Sequence, residues 1–175
     1  MSDVPLRCVV DTNVALTANG ANPGAGASCA ANCATALLAI SNSGHVFVDN
    51  RWLILGEYGK KLRTRGQLGP GDLFYRWLLT NDANVRKVTH VAIMPRPDDP
   101  TDFEELPDPP SGVRYDPSDR KFLAVAAAHR ERPPILQAMD SKWWGWCDAL
   151  AKIGVHVHFL CESEIQQKHR KKMKG

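Results

Sequence analysis

Apolar and polar positions alternate in blocks along the chain. Short apolar runs closed by polar residues lie at 6–10, 45–48, 88–93, 135–139 and 155–160, each the length of a buried strand. Helical spacing of apolar residues predicts helices over 28–42, 51–65, 70–79, 116–130 and 141–152, and a last one over 163–168. Punctuation agrees with these bounds. Asp49 or Asn50 can cap the second helix, Pro70 opens the third, and Asp116-Pro117 opens the fourth. Gly44, Gly66 and Gly154 stand at helix ends. Strands alternating with helices predict an α/β fold with a largely parallel sheet.

Two stretches break the pattern. Residues 17–27 are rich in glycine and alanine, but no Gly-Lys-Ser/Thr closes them, so they do not form a phosphate-binding P-loop. Residues 95–111 are rich in proline and acid and have no period. A loop of that length reads either as a solvated excursion or as a gate or partner-binding element. Within the second helix, Trp52, Leu55 and Gly59 form one candidate inner stripe, and Ile54, Tyr58 and Leu62 another. In the fifth, Trp143, Trp146, Cys147 and Leu150 share one face, and Trp144 lies off it.

Composition narrows the class. A length of 175 residues with 43% hydrophobic residues suits one folded domain. We place it at 1–165, with the acidic, proline-rich loop 95–115 inside it and a flexible basic tail at 166–175. The net charge is +3, but Lys168, Arg170, Lys171, Lys172 and Lys174 supply five of the positive charges. No window is apolar for the roughly 20 residues a membrane span needs. The start, Met1-Ser2-Asp3-Val4-Pro5, carries no basic residue and no apolar run, so a cytoplasmic protein is expected. The five cysteines are odd in number and scattered, which points to buried free thiols rather than disulfides. Zinc on Cys29 and Cys33 with His156 and His158 lacks the usual ligand spacings.

Chemistry enters through the acids. Asp11 and Asp140 each stand just past a predicted strand, Asp119 opens a predicted helix, and Glu57 lies inside one. In a doubly wound sheet, sites form outside the carboxyl ends of the strands, where strand order reverses. Each acid also has a plainer use: Asp11 in a turn, Asp116 and Asp140 as caps, Glu57 on a solvated face. Several carboxylates converging on one edge repel unless a cation neutralises them. No His or Cys joins the group, so Mg²⁺ or Mn²⁺ suits it better than zinc. Such a site lowers the pKa of a bound water and steadies charge on a phosphoryl group. There is no Gly-x-Ser-x-Gly elbow, and Asn13 stands where a phosphoaspartyl mechanism would want a second acid.

These residues carry a resemblance. Val9-Val10-Asp11-Thr12-Asn13-Val14 resembles the opening motif of PIN-domain ribonucleases. Glu57 within Leu53-Ile54-Leu55-Gly56-Glu57-Tyr58 resembles their second acid. The run from Asp116-Pro117-Ser118-Asp119 to Ala126 resembles their third-acid helix, and Asp140 matches the fourth. The match extends over residues 6–160.

The resemblance implies a three-layer α/β/α sandwich and Mg²⁺- or Mn²⁺-dependent RNA cleavage. On that basis Asp11, Asp119 and Asp140 are expected as the main ligands and Glu57 as the fourth. Asp116 would be an outer ligand, and Thr12 and Asn13 would steady Asp11. Lys60, Lys61, Lys142 and Trp144 stand as candidate substrate contacts, with Arg63 and Arg65 beside them. Ser141-Lys142-Trp143-Trp144 departs from the acid and leucines common after the fourth acid. Family roles as toxin, defence effector or RNA-processing enzyme are not separated here. An antitoxin or regulatory partner and a homodimer stay open. The competing expectation is a catalytically silent PIN-like module that binds RNA or protein.

Overall fold

Five short apolar runs hydrogen-bond into one sheet, each against its neighbour in parallel. The computed structural model describes residues 3–174. Met1, Ser2 and Gly175, the last residue of the expected basic tail, lie outside the described residues. In chain order the elements are β1 (Arg7–Val10), α1 (Thr12–Ala18), α2 (Ala27–Ser43), β2 (His45–Asp49), α3 (Leu53–Lys61) and α4 (Pro70–Asn81). Then follow β3 (Val88–Val91), α5 (Arg120–Ala128), β4 (Ile135–Gln137), α6 (Ser141–Lys152), β5 (Val157–Phe159) and α7 (Glu162–Met173). The strands lie in the order β3-β2-β1-β4-β5, so strand order reverses between β1 and β4.

The α/β expectation with a parallel sheet holds. Right-handed crossovers put the helices before β3 on one face and α5 and α6 on the other; α7 follows the last strand, packs on α6 and is tied to the start of α2. The contacts agree: α1, α2 and α4 pack on one another, while α5 lies across β2, β1 and β4. β1 has Cys8, Val9 and Val10 all buried, because both faces of the sheet are covered. Among the described residues, no helix is long and apolar enough to cross a membrane.

Several expectations need correction. The chain after Asp11 forms helix α1, whose seven residues are too short to show a period in sequence. α3 starts at Leu53, later than expected, because Asp49 accepts hydrogen bonds from the backbone N–H groups of Arg51, Leu53 and Ile54. The Ile54, Tyr58 and Leu62 stripe is the buried one, and Trp52 is 51% exposed. The supposed tail is helical through Met173. Glu162 and Glu164 in its first turn and Arg170, Lys171 and Lys172 in its last complement the helix dipole. The cysteines are not all free. Cys29 and Cys161 form a disulfide, tying the start of α2 to the start of α7.

The excursion after β3 is folded onto itself. Pro95 bridges to Phe103, Arg96 N–H donates to Asp102 O at 2.9 Å, and Phe103 and Leu106 are buried. Arg96 sits at its centre, donating to the carbonyls of Phe103 and Leu106 and pairing with Asp102 and Asp108. Asp99 pairs with Arg120 at 2.9 Å. Much of the acidic patch is thus engaged within the protein.

α1 and α4 meet closely at Gly71. A Cβ there would stand 2.1 Å from the Ala15 carbonyl oxygen, which is helix backbone and cannot swing away. Asn19 Oδ1 accepts from Gly71 N–H at 2.7 Å and fixes the same approach. Gly71→Ala should therefore destabilise the protein by about 1–3 kcal/mol, although Ala is the better helix former. Urea unfolding of the variant beside the wild type measures this, and equal or greater stability would contradict the packing described.

Candidate functional site

The two acids that flank the switch point are placed by backbone geometry. Asp11 follows β1 and caps α1, its Oδ1 accepting from Asn13 N–H at 2.7 Å. Asp140 follows β4 and caps α6, its Oδ1 accepting from Lys142 N–H at 3.2 Å. β1 and β4 are hydrogen-bonded neighbours, so the two caps open on the same edge of the sheet. Asn13 joins them. Its backbone holds Asp11, and its side-chain Oδ1 accepts from Met139 N–H at 2.8 Å, one residue before Asp140. Thr12 is buried, its hydroxyl beside Glu57 without a good hydrogen bond.

Asp119 and Glu57 arrive from the helices. Asp119 precedes α5, is 8% exposed and makes no capping bond with its side chain, which faces the site instead. Glu57 lies on α3, which is pinned to the end of β1 by a hydrogen bond from Tyr58 Oη to the Val10 carbonyl. Asp116 is held in a turn by Ser118, which donates from N–H at 2.9 Å and from Oγ at 2.7 Å.

Two lysines dominate the electrostatics. Lys142 Nζ reaches Asp119 at 2.7 Å, Asp116 at 2.9 Å and Asp140 at 3.3 Å. Glu57 pairs with Lys121 and, at 3.0 Å, with Lys61. The proton affinities follow. Burial, with the charges of Asp119, Glu57 and Asp140, pushes Asp11 up to about 7 against the opposing Asn13 hydrogen bond. Burial also raises Asp119, against the pull of Lys142. Burial would raise Glu57, but the bonds from Lys121 and Lys61 outweigh it and hold it below its ordinary value. The Ser118 and Lys142 bonds hold Asp116 well below the usual carboxylate range.

The carboxylates Asp11, Glu57, Asp116, Asp119 and Asp140 face the ammonium groups of Lys142, Lys121 and Lys61, leaving two negative charges uncompensated when all the acids ionise. That surplus and the all-oxygen donor set suit one hard divalent cation. The spacing does not yet suit one. Among the described residues, no three of these acids bring oxygens within 4.8 Å of one another, because Lys142 stands between three of them.

The structure thus brings together all the acids read from the sequence. It places Lys142 among them rather than at a rim. Lys60 and Lys61 lie on the exposed part of α3. Trp144 packs on Phe159 with ring centroids 5.0 Å apart. The more exposed tryptophan is Trp52, held at φ 62°. It lines a groove of about 330 Å³ with Glu57, Lys60 and Lys121. Lys121, Tyr58 and Lys168 were not read as site residues. Lys168 Nζ donates to the Met139 carbonyl at 3.0 Å from α7. Position gives a signal only for Lys121, two residues past Asp119 on the acid-bearing helix.

No family model matches the chain, and comparison with curated proteins and with solved structures finds no match.

The Asp11 carboxyl makes stability depend on pH. Its folded pKa lies above the ordinary 3.8, so the folded state holds a proton that the unfolded chain has released. Its contribution is full below about pH 4 and is lost as pH rises through about 7. In chelator, Asp11→Asn should be more stable than wild type at pH 8, by up to about 4 kcal/mol, with the advantage vanishing toward pH 4. Urea unfolding at both pH values decides it, and a difference that does not change with pH would refute it.

Proposed function

We propose that the protein is a metal-dependent endoribonuclease of PIN-like architecture, cleaving RNA phosphodiesters at the carboxylate cluster. The observation that carries this reading is the pair Asp11 and Asp140, which end adjacent strands at the switch point with Asp119 and Glu57 close enough to raise the Asp11 pKa. Asp11, Asp119 and Asp140 would hold Mg²⁺ or Mn²⁺, with Glu57 completing the set and Asp116 outside it. When bound, the ion supplies an activated water and charge stabilisation at the phosphoryl group.

The chain's own residues divide the remaining work. Lys121 and Lys61 keep Glu57 ionised, so its Oε atoms accept hydrogen bonds from a water rather than holding a proton. Asn13 fixes the distance between the Asp11 and Asp140 loops. Lys142, released from Asp119 and Asp140, has an ammonium free for a phosphate oxygen in the same place. Trp52 and Lys60 beside Glu57 offer a stacking face and a cation along the groove.

One observation favours a second reading, a catalytically silent module. A single ammonium already bridges three acids, as a metal ion would. The two readings separate in two experiments. With total cellular RNA and Mn²⁺, Asp11→Asn and Asp140→Asn should each lose cleavage by at least about a hundredfold while keeping their circular dichroism. Cleavage unchanged in either variant, or absent in wild type, would overturn the nuclease reading.

Lys142→Met gives a test without activity. In chelator it should lose about 1–3 kcal/mol, since three acids lose their common partner. Mn²⁺ should restore that loss and stabilise the variant more than wild type. A melting temperature indifferent to Mn²⁺ in both proteins would favour the silent module.

A further inference from the structure

A second cluster of ligating atoms shares no residue with the acids. Cys29 and Cys33 sit one turn apart on α2, and Cys161 stands at the start of α7. Their three sulfurs lie within 4.8 Å of one another, and the residues are 1%, 0% and 4% exposed. The disulfide accounts for two of them, but Cys33 Sγ is 4.0 Å from Cys161 Sγ, so the third thiol is part of the same group. Among the described residues, no histidine or carboxylate joins it.

We propose that, once the Cys29–Cys161 bond is reduced, these three cysteines hold one thiophilic closed-shell cation, Zn²⁺ or Cu⁺, at a centre separate from the carboxylate site. Three physical features argue for it. Sulfur ligands at about 2.3 Å from an ion lie about 4 Å from one another, which is the Cys33–Cys161 separation already present. An all-thiolate, water-excluded set selects soft ions over Mg²⁺ or Mn²⁺. The net negative charge of three thiolates around such an ion meets two helix N-termini, since Cys161 caps the 12-residue α7 and Cys29 lies in the first turn of the 17-residue α2.

The chemistry balances as follows. A dithiol reductant gives two electrons and two protons to the Cys29–Cys161 bond and becomes its own disulfide, leaving two thiols. With Cys33 that makes three thiols, and each releases one proton as its sulfur–metal bond forms. Burial pushes the Cys33 thiol up to about 12, so it stays protonated until a cation takes the proton's place.

The test uses the full chain, reduced with a dithiol under anaerobic conditions, with thiols counted in denaturant to verify reduction. Zn²⁺ is followed through Co²⁺ as a probe and through metal analysis after dialysis. Cu⁺ is followed by competition with a coloured chelator. We expect one ion per chain, a sulfur-to-cobalt charge-transfer band, and protection of three thiols from alkylation. Cys33→Ser keeps both disulfide partners but should weaken binding by at least roughly tenfold. Cys147→Ser, altering a half-buried thiol on α6, should leave it unchanged. Absence of retained metal in reduced wild type would overturn the proposal in favour of a disulfide with a bystander thiol. Equal binding by Cys33→Ser would overturn the three-sulfur centre.

Discussion

Much of this structure depends on one electrostatic constraint: several carboxylates must share the buried edge where strand order reverses. Asp11 is 5% exposed at the end of the central strand and feels the charges of Asp119, Glu57 and Asp140. Such a group is costly unless it is protonated, hydrogen-bonded or neutralised. The surroundings use all three routes. Burial raises its pKa, Asn13 donates to it, and Lys142 and Lys121 draw off the neighbouring charge. The lysines come from α5 and α6, the helices that Asp119 and Asp140 precede, so these two acids arrive with a cation close behind them in the chain.

An ammonium and a divalent ion do related electrostatic work, with different chemical consequences. Lys142 pairs with three carboxylates, hydrogen-bonding Asp116, and stands between their oxygens. It cannot lower the pKa of a bound water as a metal does. The same lysine is therefore the gate in one reading of the site and its permanent occupant in the other. What distinguishes them is whether the ammonium leaves when a divalent cation is supplied.

Helix α7 links the carboxylate cluster to the sulfur cluster. Its N-cap, Cys161, lies in the sulfur group, and Glu164 in its first turn accepts from Gly26 N–H at 2.9 Å. Two turns later Lys168 reaches the Met139 carbonyl, beside Asp140. A segment read as a loose basic tail is thus a strut between α2 and the end of β4, and its cations lie on an ordered helix.

The strands and the acids that end them were legible in the sequence as local signals, and the largely parallel sense followed from the alternation of strands with helices. A buried strand must be a short apolar run, and Asp11 and Asp140 announce themselves by ending such runs. The Ile54, Tyr58 and Leu62 stripe was legible as one of two, but only packing against β1 chose it, through the Tyr58 bond to Val10. Tertiary structure alone decided what compensates the acids. Lys142 lies 23 residues from Asp119 in sequence and 2.7 Å from it in space. It also decided the sulfur cluster, since Cys29 and Cys161 are 132 positions apart and no spacing rule connects them. Helix α1 was hidden for a related reason: seven residues carry too little period to read, and docking on α2 and α4 supplies what the sequence pattern lacks.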